Sequence, residues 1–200
     1  MTRAPRSRGY TAVELLMAMA VLGIGVSGII AMQKITVSSN RHSRNLALAT
    51  QIAHSWQDRL VADSALWNQP SANVPGTDLN TETQWLRFVG SGWIRPPEST
   101  NGDFGPAFDA LGNPVTDVSL MARAPFCTHI RLSWLIPAAQ NRAGLIRSEV
   151  RVFWVREGQG TPNNLPVCDP SQDPLAIGSA VTSFHFVYLT SAVKQNQPLS

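Results

Sequence analysis

The sequence predicts an α+β protein in which one long N-terminal helix packs against an antiparallel β-sheet. Two patterns lead to this prediction. An uncharged run at residues 15–32 continues into a stretch with apolar residues at helical spacing. The last third of the chain contains three stretches in which apolar and polar residues alternate, as they do in strands with one buried face.

The uncharged run comprises 18 residues, 15–32, and is long enough for a membrane-spanning helix. Arg3, Arg6 and Arg8 precede it, so we expect a cytoplasmic N-terminus and an exported body. A secretory signal peptide or a plain signal anchor would also begin this way, but neither explains Glu14 at the membrane edge. Because an ionisable group there is costly unless it finds a partner, Glu14 is a candidate functional residue.

The net charge of +3 belongs entirely to the N-terminal tip. The chain has 16 Lys+Arg and 13 Asp+Glu, and three of the arginines come before Gly9. The remainder is formally neutral, which argues against a general phosphate-binding surface, so nucleic acid is an unexpected partner.

The helix is predicted to continue well beyond the membrane. No proline occurs between Pro5 and Pro70, which permits one helix from about Thr11 to about Leu66. Residues 10–33 would form its transmembrane half and residues 34–66 its amphipathic half. The expected apolar stripe consists of Leu46, Ala49, Ala53, Trp56 and Leu60.

Residues 67–200 are expected to form the body, with a turn-rich region before the sheet. Between residues 67 and 125 the chain is rich in turn-forming residues, and a strand is predicted only at 84–89. The three alternating stretches predict strands at 128–136, 149–156 and 181–190. Tryptophans on apolar stripes (Trp56, Trp134, Trp154) are expected in the core. For Trp67, Trp85 and Trp93, core packing or subunit contact remains open.

The two cysteines, Cys127 and Cys168, lack the CxxC spacing of a metal knuckle. In an exported body a disulfide between them is expected, the alternative being two unrelated buried thiols. Closing a loop of about 40 residues would contribute roughly 3–4 kcal/mol in the chain-entropy model.

We find no enzyme motif in the sequence. GxSxG, HExxH and P-loop patterns are absent, and the four histidines show no ligand spacing. Asp103, Asp109 and Asp117 could ligate calcium, but their spacing is that of solvated turn acids. We therefore expect no enzymatic activity, no cofactor and no metal site.

The segment 8–15, RGYTAVEL, resembles the class III signal of type IV pilins and of type II secretion pseudopilins. The resemblance implies that a prepilin peptidase cuts after Gly9, removing residues 1–9 as a leader, and that Tyr10 becomes the methylated N-terminus. It implies that Glu14 is the retained glutamate that guides assembly. Tyr10 replaces the usual Phe, and Ala12 replaces a larger apolar residue.

A second likeness points to the minor pilins of the pilus-modification type. Residues 45–60 are similar to the amphipathic helix of those proteins, and residues 150–154, VRVFW, to a late strand. The resemblance implies a type IV pilin-like fold and a role in pilus assembly or initiation. The implied partners are the prepilin peptidase, other minor and major pilins, the inner-membrane assembly platform and a pilus-tip adhesin. The implied location is the inner membrane and then the cell surface.

Two other functions remain open from the sequence. The chain could be a type II secretion pseudopilin, which the same signal would also fit. It could also be a membrane-anchored periplasmic binding module that uses the turn-rich region or a basic strip at Arg142, Arg147 and Arg151.

Overall fold

The computed structural model describes residues 11–70, 75–139, 142–161 and 165–197. The chain divides into two compact units, one ending at Asn45 and one beginning at Leu46, and each is described by itself. Gly9 and Tyr10, to which the processing prediction refers, lie outside the described residues.

In the first unit, the described residues form a single stretch of helix. The helix α1 begins at Ala12 and ends at Ser64, close to the predicted limits, and residues 12–45 of it lie in this unit. Apolar side chains are exposed along this part. Among the described residues, α1 is the one helix long and apolar enough to cross a membrane.

The second unit contains an antiparallel sheet of five strands: β1 (Trp93–Ile94), β2 (Ala107–Phe108), β3 (Phe126–Ile136), β4 (Leu145–Val155) and β5 (Phe184–Lys194). Their order is β1-β3-β4-β5, with β2 also paired to β3. The three long strands confirm those predicted from alternation. The structure is therefore α+β, as expected.

Three short helices and one 3-10 turn complete the second unit: α2 (Leu79–Glu82) and the 3-10 turn Leu86–Phe88 before β1, α3 (Val118–Met121) between β2 and β3, and α4 (Pro174–Ser179) between β4 and β5. Each short α-helix begins after an aspartate whose carboxylate accepts a hydrogen bond from a backbone N–H two residues later. These caps are Asp78 for α2, Asp117 for α3 and Asp173 for α4. Such N-caps satisfy a helix donor that would otherwise lack a partner.

One face of the sheet and the α1 segment from Leu46 onward share a core. Ala49, Ala53, Trp56 and Leu60 are fully buried there, as the stripe predicted, whereas Leu46 is partly exposed. Large side chains of this kind stabilise the fold by about 1.5–3 kcal/mol each when fully buried. Sheet residues of the same core are Ile130, Leu132, Ile146, Val150, Val152 and Trp154.

The opposite face, here called the outer face, is covered at one end, although the alternation suggested a simple polar face. Phe153 and Phe184 pack there against Ile177 of α4 and the two cysteines, forming a second core. As a result, seven consecutive residues of β4, from 148 to 154, are buried.

The core placement expected for Trp56 and Trp154 is confirmed, and the one expected for Trp134, at the end of β3, is wrong. Trp56 and Trp154 are buried, and so are Trp67 and Trp85, while Trp93 is half-buried. Trp134 was expected in the core but is 38% exposed. It lies next to the register shift between Trp134 and Ile136, where regular pairing with β4 ends.

The strand predicted at 84–89 is wrong, and a buried carboxylate explains why. Asp63, near the end of α1, accepts hydrogen bonds from the backbone N–H groups of Gln84 (2.8 Å), Trp85 (2.8 Å) and Leu86 (2.9 Å). Those donors are therefore unavailable to a strand ladder, and the chain continues as a 3-10 turn at Leu86–Phe88.

We predict that Asp63→Ala destabilises the second unit strongly. Loss of the carboxylate leaves three N–H donors without their acceptor, at a cost on the order of 3 kcal/mol or more. The free energy of unfolding, measured by denaturant titration of the full chain in detergent micelles, should fall by that amount. The matched control is Asp58→Ala on the same helix, where the acid is exposed and a change within about 0.5 kcal/mol is expected. Equal effects at both positions would contradict the role given to Asp63.

Candidate functional site

The predicted assembly residue Glu14 lies in the first turn of α1, directly after a helix cap. The Glu14 backbone N–H donates to the Thr11 carbonyl (3.1 Å) and to the Thr11 hydroxyl (3.3 Å). Thr and Glu three positions apart are the residues of a capping box, which fixes where a helix begins. Sequence reasoning treated Thr11 only as a motif position and missed this role.

The environment of Glu14 has two physical features. An acidic side chain in the first turn interacts favourably with the positive end of the helix dipole. Among the described residues, none forms an ion pair with the Glu14 carboxylate. The Glu14 side chain is exposed, and so are the apolar side chains next to it. In a membrane or a packed assembly, this carboxylate would need an opposite charge from another group.

The apolar surface of α1 that follows Glu14 is large. Within the first unit no described residue from 12 to 44 is buried. Its exposed large apolar residues are Val13, Leu15, Leu16, Met17, Met19, Val21, Leu22, Ile24, Val26, Ile29, Ile30, Met32, Ile35 and Val37. A surface of this extent needs a lipid or protein environment that removes it from water.

The predicted disulfide is present in the second unit. Cys127 of β3 and Cys168 are joined by an S–S bond, and both residues are fully buried in the second core. Cys168 is also held by its backbone N–H, which donates to the Ala122 carbonyl at 3.1 Å. The bridge therefore ties the segment before α4 to the sheet.

A buried polar pair lies beside the disulfide on the outer face. Arg151 and His129 are each 2% exposed, and Arg151 Nη2 lies 2.7 Å from His129 Nδ1. The same guanidinium donates to the Pro174 carbonyl at 2.7 Å and stacks on Trp93, 4.5 Å from the ring centroid. Burial, with the Arg151 and Arg95 charges, lowers the pKa of His129 from 6.5 to about 3. His129 is therefore neutral and accepts this hydrogen bond.

The basic strip considered at Arg142, Arg147 and Arg151 is not continuous at the surface, because only Arg142 and Arg147 are exposed. Arg151 is buried because α4 covers it, and Gly178 of that helix passes so close that a Cβ there would overlap the guanidinium. Arg147 instead forms a 3.1 Å ion pair with Glu149. The strip therefore does not supply a continuous row of exposed cations.

A different cluster, which sequence reasoning missed, occupies the open part of the outer face. Glu149 receives two hydrogen bonds from Arg131, at 2.7 and 2.8 Å, besides the ion pair with Arg147. Trp93 lies under the Arg131 guanidinium, 4.9 Å from the ring centroid, and contacts Tyr188 edge-on at 6.0 Å. We call Trp93, Arg131, Arg147, Glu149 and Tyr188 the outer-face cluster. The strand register brings these residues together, and the alternation of apolar and polar residues in the sequence does not reveal that register.

The acids considered for calcium binding serve as turn and cap residues. Asp109 accepts from the backbone N–H groups of Leu111 and Asn113, and Asp103 bonds to Ser99. Hydrogen bonds from Ser119 lower the pKa of Asp117, which caps α3. Among the described residues, no group of three or more His, Cys, Asp or Glu is placed to hold a metal ion.

A surface pocket of about 410 Å³ is lined by Trp67 and Trp134, whose rings contact each other edge-on, together with other residues. Two of its polar side chains already bond within the chain. Thr77 Oγ1 bonds to the backbone of Asn68 and Leu66, and Gln195 bonds to the backbone of Gly144 and Asn68. The pocket therefore offers few free polar groups to define a ligand.

No protein-family model matches this chain, and neither a curated protein nor a solved structure matches it. Function is therefore inferred from the chain's own residues.

We predict that His129 makes the second unit acid-sensitive. The unfolded chain binds a proton at this side chain near pH 6.5, whereas the folded chain does so only near pH 3. As pH falls through this window, stability should decline by about 1.4 kcal/mol per pH unit from this group. His129→Gln keeps an acceptor for Arg151 and should remove that slope, measured as the difference between the two chains' unfolding free energies at several pH values.

The control for this measurement is His54→Gln, a change at an exposed position of α1. It should leave the slope of the parent chain unchanged. A His129→Gln chain with the same acid sensitivity as the parent would contradict the assignment.

Proposed function

We propose that this chain is a minor pilin-like structural subunit of a type IV pilus that takes part in pilus assembly or initiation. The observation that carries the proposal is Glu14 in the first turn of a helix whose following residues are apolar and exposed. Such a helix suits two successive environments, a bilayer before assembly and a bundle of like helices afterwards. The class III signal resemblance at residues 8–15 supports the same reading.

Processing would give Glu14 its partner. A cut after Gly9 creates a positive amine on Tyr10, four residues before Glu14, and removes the three arginines of the leader. In a low-dielectric setting an unpaired carboxylate is costly and an opposite charge is strongly attractive. Pairing between Glu14 of one subunit and the amine of a neighbour would therefore define the axial step between them.

The body is suited to work outside the cytoplasm. Its buried disulfide is of the kind that persists in oxidising compartments. The arginines before Gly9 favour an orientation with the N-terminus in the cytoplasm and the body in the periplasm. The proposed partners are the prepilin peptidase, the inner-membrane assembly platform, other pilins and a pilus-tip adhesin.

A type II secretion pseudopilin shares the processing signal, the anchor and the α+β body. The two functions differ in the assembly that incorporates the subunit. Expression in cells carrying one system at a time distinguishes them, because incorporation into sheared filaments should follow the pilus genes and not the secretion genes.

We predict that the mature protein begins with methylated Tyr10. Mass spectrometry of the chain co-expressed with a prepilin peptidase should show loss of residues 1–9 and one added methyl group on Tyr10. Gly9→Leu provides the control, because a side chain at this position obstructs close approach of the protease to the backbone. A parent chain that keeps Arg3 and Arg8 in the presence of active peptidase would overturn the proposal.

We also predict that removing the Glu14 charge blocks incorporation. Glu14→Gln keeps the size of the side chain but cannot form an ion pair with the amine, so incorporation into filaments should fall at least a hundredfold, in line with the roughly 3–5 kcal/mol of a broken buried pair. Incorporation is measured by immunoblotting of sheared filaments against membrane-bound chain. Gln33→Ala, further along the same exposed helix, is the matched control. Normal incorporation of Glu14→Gln would count against the role of the carboxylate.

A further inference from the structure

We propose that the outer-face cluster of one chain docks the segment 109–120 of a second copy of this chain. Both surfaces lie within the unit that begins at Leu46, so this contact does not depend on leader cleavage, the anchor or the proposed function.

The outer-face cluster carries unbalanced positive charge. The single Glu149 carboxylate is shared by Arg131 and Arg147, which leaves an excess of one charge at the surface. Beneath Trp93, the buried Arg151 adds a second charge; it bonds to His129 and to the Pro174 carbonyl and interacts with the Tyr188 side chain, and no carboxylate pairs with it among the described residues. Its Nε also lacks a partner. Because buried charge is only weakly screened, this face should attract carboxylates.

The cluster also has the composition of a protein-binding centre. Tyr188 is 55% exposed, and its ring stands edge-on to Trp93. Tryptophan, tyrosine and arginine are the residues that contribute most often to binding energy at protein interfaces. Trp93 is held between two guanidiniums and Tyr188, so little side-chain entropy remains to be lost on binding.

Segment 109–120 has the complementary properties. It contains Asp109 and Asp117 and no basic residue. Three of its large apolar side chains are unusually exposed: Leu111 (65%), Val118 (70%) and Leu120 (56%). The two aspartates accept backbone hydrogen bonds that hold the turn and the start of α3, so the apolar groups are presented on an ordered backbone.

The two surfaces lie at different places on the sheet. Segment 109–120 follows β2, which pairs with residues 126–127 of β3, whereas Arg147 pairs with Ser133. Along β3, Arg131 is four residues and Ser133 six residues from Cys127, which corresponds to roughly 13–20 Å. Contact between two different surfaces is heterologous, and such a contact joins copies into a ring or an open row instead of a closed two-fold dimer.

A nucleic acid is a poorer occupant of this face. Tight binding of a phosphate backbone typically involves about 6–10 neutralised phosphates. Here the excess is two charges, and the Glu149 carboxylate lies between the two exposed arginines and would repel phosphate.

Site-directed cross-linking tests the contact in the full chain. Thr190→Cys places a thiol beside Glu149 on the outer face, and Val118→Cys places one in the docking segment. The native cysteines form a disulfide, so a bismaleimide reacts only with the introduced thiols. Differently tagged chains carrying one change each are co-expressed, and their membranes are treated with the reagent. We expect a mixed dimer carrying both tags, and no cross-linked dimer when either variant is expressed alone.

The matched control replaces Thr190→Cys by Val61→Cys, an exposed position outside both surfaces. This pair should yield at least fivefold less mixed dimer. Equal yields from the two pairs would overturn the contact, as would cross-linking of Thr190→Cys to other proteins but not to the Val118→Cys chain. Loss of the mixed dimer when the membranes are treated with nuclease before the reagent is added would also overturn the contact, since it would indicate bridging by nucleic acid.

Charge variants show whether the attraction is the one proposed. Arg147→Gln in one chain, or Asp117→Asn in the other, should reduce the mixed dimer at least fivefold, and Arg147→Lys should retain it. Asparagine caps a helix as well as aspartate does, so Asp117→Asn removes charge without removing the cap. Formation of the Cys127–Cys168 disulfide in each variant verifies folding. Mixed dimer that is insensitive to these charges would contradict the proposal.

Discussion

The second unit depends on the buried carboxylate of Asp63, which joins the end of α1 to the turn-rich region. Its two oxygens accept three consecutive backbone N–H groups at residues 84–86, far along the chain. These hydrogen bonds tie the C-terminal end of α1 to residues 84–86. They also position Trp85 beside Trp56 in the core, with ring centroids 5.4 Å apart. A region with little regular structure thereby obtains a defined path.

One face of the sheet is covered along its length and the outer face only at one end, and the two covers differ in kind. On one face the apolar stripe of α1 supplies the cover, and on the other a disulfide and the short helix α4 do so. The second cover brings Arg151 and His129 out of water, where the neutral imidazole accepts a hydrogen bond from the guanidinium. Acid sensitivity is a direct consequence of that burial.

The surfaces left exposed are those on which the functional proposals rest. In the first unit, Glu14 and the apolar face of α1 require a partner for charge and for hydrophobic area. In the second unit, the outer-face cluster and segment 109–120 carry opposite charge and exposed apolar groups. The proposed assembly role would bury both kinds of surface, the first in lipid or other helices and the second against another copy of the chain.

The sequence by itself determined the long helix, the three long strands, the cysteine pair and the position of Glu14. The helix and the strands follow from local periodicity and, for the helix, from the absence of proline. The cysteine pair follows because each cysteine has one possible cysteine partner in the chain. Only the tertiary structure decided the 3-10 turn at Leu86–Phe88, the burial of Arg151 and His129, the exposure of Trp134 and the assembly of the outer-face cluster. Each of these depends on contacts between residues that are far apart in the chain. Some arise from the strand register, and one arises from a carboxylate that accepts backbone N–H groups a strand would need. A local sequence pattern carries no information about such long-range partners.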